Sequence, residues 1–191
     1  MKNFWNENSY NVIKIFLNQI ALSMLGFVMA MATQDTHIVI RVIVGIACVV
    51  FYLWILYVTM YEMGQKDGIK IQSGRLHYSK SKGFWISFLA NVPNIIIGIL
   101  TFIGGICFVS IGVKVNSWAA ELYFVSNAIG KVIEAVYLPL LSLKFLRDAF
   151  WPLLATPILP IVVCTVAYRL GVKYCDGFAN KVKQKKDNRY L

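Results

Sequence analysis

The sequence predicts an all-α integral membrane bundle: four transmembrane helices plus an extracytoplasmic amphipathic or re-entrant segment, in one polytopic domain over 1–191. Three observations carry that prediction. Residues 83–113 run for 31 positions without Asp, Glu, Lys or Arg, more than the roughly 20 apolar residues that cross a hydrocarbon core about 30 Å thick. The chain is 58% hydrophobic with a mean hydropathy of +0.63, above the range of a soluble domain of this size. Its 19 Lys and Arg outnumber 9 Asp and Glu, and most of them lie before, between and after the apolar runs. In a membrane protein such an excess speaks of topology and anionic lipid. Nucleic acid is not needed to explain it.

Residues 15–33 form the first span, an uncharged stretch interrupted only by Asn18, Gln19 and Ser23. Its end, Ala30-Met31-Ala32, imitates a signal-peptide cleavage site, but the apolar core is long for such a peptide, and the helix is expected to be retained. A connector with Asp35, His37 and Arg41 is short enough to send the second span, 42–61, straight back as a hairpin. Residues 62–82 are expected to be a polar loop, with turn signals at Asp67-Gly68 and Ser73-Gly74 and an alternating Ile69 to Gln72 that suggests a short β-ribbon.

The long apolar run would measure about 46 Å as one straight helix. It is therefore divided at Pro93, with 83–92 at the interface, Phe84 and Trp85 among the headgroups, and 93–113 as the third span. Next, Trp118, Leu122, Val125, Ile129, Val132 and Val136 recur at helical spacing, with Glu121, Asn127, Lys131 and Glu134 between them. They read as an amphipathic helix ended by Pro139. The fourth span, 151–168, contains Pro152, Pro157 and Pro160; the last two should kink or break it. A basic tail, 169–191, completes the chain.

With both termini and the 62–82 loop in the cytoplasm, fourteen of the nineteen cationic side chains lie inside and five outside, as the positive-inside rule requires. A fifth span through 122–143 would export either the tail or the loop. It would also carry Lys131 and Glu134 near mid-membrane, so that segment is expected to lie on or dip into the outer leaflet.

Three groups of residues could carry function. Asn91 and Asn94 beside Pro93, together with Pro157 and Pro160, suit a substrate path built from interrupted helices, whose freed peptide dipoles coordinate ligands; prolines in membrane helices also merely set packing angles. Asp35, His37 and Arg41 form an outer polar cluster, suited to a proton or anion site or, more simply, to an interfacial ion pair. Lys181, Lys183, Lys185 and Lys186 form a cluster suited to anionic headgroups. No nucleophile with a base, no paired carboxylates and no metal-ligand spacing occurs, so neither an enzyme nor a cofactor or metal is expected. The four cysteines read as inert thiols.

The functional expectation is a small transporter or the membrane subunit of a transport complex in the plasma membrane, working as a homo-oligomer or with a larger membrane partner. The alternative is a non-transporting accessory or scaffold protein that binds a larger membrane partner through faces bearing Gly98, Gly104 and Gly105.

Overall fold

The structure, a computed structural model, describes residues 2–77, 79–111, 118–143 and 151–187. These residues are helical, with no strand among them: α1 (Lys2–Ala32), α2 (Ile38–Gln72), α3 (Lys82–Ile111), α4 (Trp118–Ile133), a 3-10 turn (Ala135–Tyr137), α5 (Leu138–Leu141), α6 (Pro152–Ala155) and α7 (Ile158–Asp187). Four segments are long and apolar enough to span a bilayer: Asn8–Ala32, Ile38–Gln72, Lys82–Cys107 and Pro152–Cys175. The predicted class stands, and the boundaries move in three places.

The first correction concerns the polar loop. Helix α2 does not stop near Tyr61 but continues to Gln72, which leaves 73–81 as the connector and removes the expected ribbon. Packing decides this. A Cβ on Gly64 would lie 2.3 Å from the Tyr168 carbonyl oxygen, and one on Gly171 would lie 2.3 Å from that of Tyr61. The backbones of α2 and α7 therefore touch, as a small-xxx-small seam of Gly64 and Gly68 permits. Ser73-Gly74 is the helix's end. Gly74 has φ +71°, its N–H bonds the Ile71 carbonyl, and the Arg75 N–H bonds that of Lys70, the hydrogen-bond pair of a Schellman cap.

The same stretch contains a buried charge cluster. Asp67, 7% exposed, accepts a hydrogen bond from the Tyr168 hydroxyl at 2.9 Å and pairs with Lys82 Nζ at 2.7 Å and with Lys70 Nζ at 3.8 Å. One carboxylate thus ties α2 to the start of α3 and to α7.

The second correction is at Pro93, which sits inside a continuous α3 instead of opening the span. Proline removes only one helical bond, and the turn before it is held by packing: Ile86, Ser87, Ala90 and Asn91 are buried. Residues 83–92 belong to the bundle, while Phe84 and Trp85 stay exposed on its surface.

The third is the segment after α3. Helix α4 ends at Ile133, five residues before the chain reaches Leu138, and the next elements turn away by 85°; Pro139 lies in the first turn of α5, not at a helix end. The expected apolar stripe of α4 faces outward: Trp118, Val125, Ile129 and Val132 are exposed, whereas Ala119, Ala120, Ser126 and Gly130 are buried. In water that arrangement would be inside out; against lipid, small residues belong at helix contacts.

Candidate functional site

Two chain breaks meet inside the bundle. The first is the bend at Glu134, between α4 and the 3-10 turn; the second is at Thr156 and Pro157, between α6 and α7. The three prolines of the fourth span fit this break. Pro152 opens α6, and Pro160 occupies the third position of α7, where a backbone N–H would lack a helical partner anyway. Pro157 stands at the junction.

A break inside an apolar bundle frees peptide groups that need partners, and polar side chains supply them. Ser23 of α1 donates to the Ile133 carbonyl, and the Tyr137 hydroxyl donates to the Thr156 carbonyl at 3.4 Å. The Thr156 hydroxyl donates to Glu134 Oε2, joining the two breaks directly. The backbone of the 3-10 turn reaches α1 because residue 26 is glycine: a Cβ there would lie 2.4 Å from Val136 Cα.

From α3, Asn91 Nδ2 donates to the Ser87 carbonyl at 2.9 Å, so its Oδ1 faces Gln19 and accepts from Gln19 Nε2 at 3.1 Å. Three oxygens remain buried with no hydrogen-bond partner: Gln19 Oε1, Asn94 Oδ1 and Glu134 Oε1. Their residues are 2%, 6% and 6% exposed. All three line one cavity together with Ser23, Tyr52, Asn91, Tyr137, Thr156, Pro157 and Pro160. The space open to a water centre there is about 10 Å³, room for a single water molecule. Asn94 and Glu134 also border a second, dry gap beside Gly98, Gly130 and Leu153. Gln19 and Asn94 stand at the midpoints of their spans, Asn8–Ala32 and Lys82–Cys107.

The structure thus brings Asn91, Asn94, Pro157 and Pro160 to one place. It adds Gln19, Glu134 and Thr156. The helical spacing predicts Glu134 on the polar face of an amphipathic helix; it instead points into the bundle. A lone carboxylate flanked by Val132, Ile133, Ala135 and Val136 was the available signal, because an ionisable group in such a run marks function when it lies in a membrane.

The other two groups lie elsewhere. Arg41 donates to the Gln34 carbonyl and so closes the α1–α2 connector, while Asp35 and His37 are exposed. The side chains of Lys181, Lys183, Lys185 and Lys186 lie outside the described residues. Gly98 and Gly104 do not offer a face to a partner: a Cβ on Gly98 would meet the Leu153 carbonyl oxygen at 2.8 Å, and one on Gly104 the Tyr123 backbone at 2.9 Å. Those glycines serve packing within this chain. No protein-family model, no curated protein and no solved structure matches the chain.

Proposed function

We propose that this chain is a small transport protein, or the membrane subunit of a transport assembly, whose working site is the enclosed polar cluster at the two helix breaks. One observation carries the reading: Gln19, Asn94 and Glu134, from three separate elements, turn unpartnered oxygens into one cavity of the bundle. Structure alone does not need such a cluster, since an unsatisfied buried polar group destabilises by about 1–3 kcal/mol. Interrupted helices around a half-depth site are how many transporters expose ligands to backbone and side-chain dipoles. The distribution of Lys and Arg supports a plasma-membrane orientation with both termini and the 73–81 connector in the cytoplasm, and a basic tail against anionic headgroups.

The cavity has room for one water molecule, which favours a second reading as well: an accessory subunit that needs a second copy or a larger membrane partner to complete a path. The test is reconstitution of the full chain in proteoliposomes with an imposed cation gradient and an internal pH-sensitive dye. Flux above empty vesicles, lost in the Asn94→Ala, Pro157→Ala double variant, supports transport. Flux that the double variant leaves untouched removes these residues from the reading. Absence of flux, with a larger membrane protein copurifying in mild detergent, selects the accessory role.

A further inference from the structure

We infer that the cavity between the two helix breaks binds a single positive charge of about the size of a water molecule, a hydronium or a small alkali cation, with Glu134 as its counter-charge. The inference deepens the transport reading, from which it takes the site. Its basis is an inventory of donors and acceptors. Gln19 is fixed with its amide nitrogen toward Asn91, because Asn91 spends its own nitrogen on the Ser87 carbonyl. The Thr156 hydroxyl lies within reach of both Glu134 Oε2 and the Leu153 carbonyl and spends its one proton there, and Ser23 spends its proton on the Ile133 carbonyl. Unpartnered at the cavity are three acceptors, Gln19 Oε1, Asn94 Oδ1 and Glu134 Oε1; the Tyr52 hydroxyl on its wall is a donor that reaches none of them.

An anion would add acceptors to acceptors. One water donates two hydrogen bonds, leaving one oxygen orphaned and the carboxylate charge buried without compensation. A hydronium donates three, which is the same as a protonated Glu134 with a water. An alkali cation in that place ligates three oxygens at once and likewise cancels one charge. A divalent ion would leave a surplus: among the described residues no group of three His, Cys, Asp or Glu side chains assembles anywhere, and no second carboxylate lines the cavity.

The titratable groups facing Glu134 are Tyr52 from α2 and Tyr137 from the 3-10 turn, with Cys164 of α7 beside the two tyrosines and Lys131 one turn back on α4. Helices α1 and α3 contribute only amides and hydroxyls: Gln19, Ser23, Asn91 and Asn94. Glu134 is therefore the group whose charge the bound species must answer.

Thermal unfolding of the full-length protein in detergent tests this, in NaCl against choline chloride at equal ionic strength, across the neutral pH range. For an alkali cation, the midpoint is higher in NaCl, and the gap widens as pH rises because protons compete less for Glu134. For a hydronium, there is no sodium gap, and the midpoint falls as pH rises because the folded site holds a proton that the unfolded carboxyl releases. Glu134→Gln abolishes whichever response the wild type shows. In the alkali case Asn94→Ala raises the sodium concentration for half the effect by about tenfold, roughly the loss of one good ligand; in the hydronium case it lowers the pH at which the midpoint stops falling. These Asn94 shifts decide the matter if Glu134→Gln does not fold. A wild-type midpoint indifferent to both sodium and pH overturns the inference, as does an unaltered response in Glu134→Gln or Asn94→Ala. A sodium or pH response in a protein that gives no flux ends the transport reading and leaves the inference standing; flux without either response does the reverse.

Discussion

Asp67 and Glu134 are two buried carboxylates with opposite circumstances. Asp67 is fully engaged, with Lys82 Nζ at 2.7 Å and the Tyr168 hydroxyl at 2.9 Å, whereas Glu134 keeps one oxygen without a partner. The first is a structural tie and the second is poised for a ligand. Removing one partner of a buried ion pair strands the other, and the Lys82 side chain is only 13% exposed. Asp67→Ala should therefore cost about 3–5 kcal/mol, read as a lower thermal midpoint in detergent, and adding Lys82→Met should restore part of it. A double variant no better than the single one would show that Lys82 is not stranded. Thr156→Val keeps the shape of the side chain but removes the proton given to Glu134, and should cost about 1–3 kcal/mol. Neither partnership was legible in the sequence. Asp67-Gly68 has the form of a turn, and only the close approach of α7, 101 positions away at Tyr168, overrides it. Glu134 followed the polar face of a helix that would be amphipathic in water.

Among the elements, α2 and α7 form the tightest contact, and it runs through glycine. Because Gly64 and Gly171 each place a would-be Cβ 2.3 Å from a carbonyl oxygen of the other helix, alanine at either position must push two backbones apart. Gly64→Ala and Gly171→Ala should each destabilise by about 1–3 kcal/mol. Gly74, which has open space around it but φ +71°, should lose about 1 kcal/mol on change to alanine, from backbone strain alone. Equal thermal midpoints for Gly64→Ala and wild type would contradict the close crossing. The four spans were legible because an uncharged run of 19 or more residues has almost no other use. Their ends were not. Charge content marks where a chain leaves hydrocarbon, but a helix continues as long as packing and a cap support it, and Arg75 and Gly74 mark the end of α2 only once the helix is known to reach them. Pro93 misled for a related reason: one missing bond is tolerated where neighbouring helices hold the turn.

The molecule as a whole is arranged for an apolar solvent. Leu17, Met24 and Val28 on α1, Ile43, Ile46, Val50 and Trp54 on α2, and Val125 and Val132 on α4 face outward, while the amides, the hydroxyls and the Glu134 carboxylate collect inside. Packing density does not set that polarity; the surroundings do, and packing leaves open which end of the bundle faces which side of a membrane. The 33–37 and 73–81 connectors lie at opposite ends of α2, so orientation reduces to which of them is reached from outside. Of the native cysteines, Cys48 and Cys164 are buried, Cys107 is half-buried, and Cys175 lies against Gly68 with its thiol donating to the Gln65 carbonyl; none is a good reporter. In a background with all four replaced by Ala or Ser, Ser79→Cys and Asp35→Cys place single thiols at exposed positions, one on each connector. If positive charge sets the topology, a membrane-impermeant maleimide should label Asp35→Cys in intact cells and Ser79→Cys only after the membrane is opened. The reverse pattern would invert the protein, moving the basic tail to the outside. Labelling of both in intact cells would mean that the chain between them does not cross the bilayer, and the half-depth placement of Gln19 and Asn94 would fail with it.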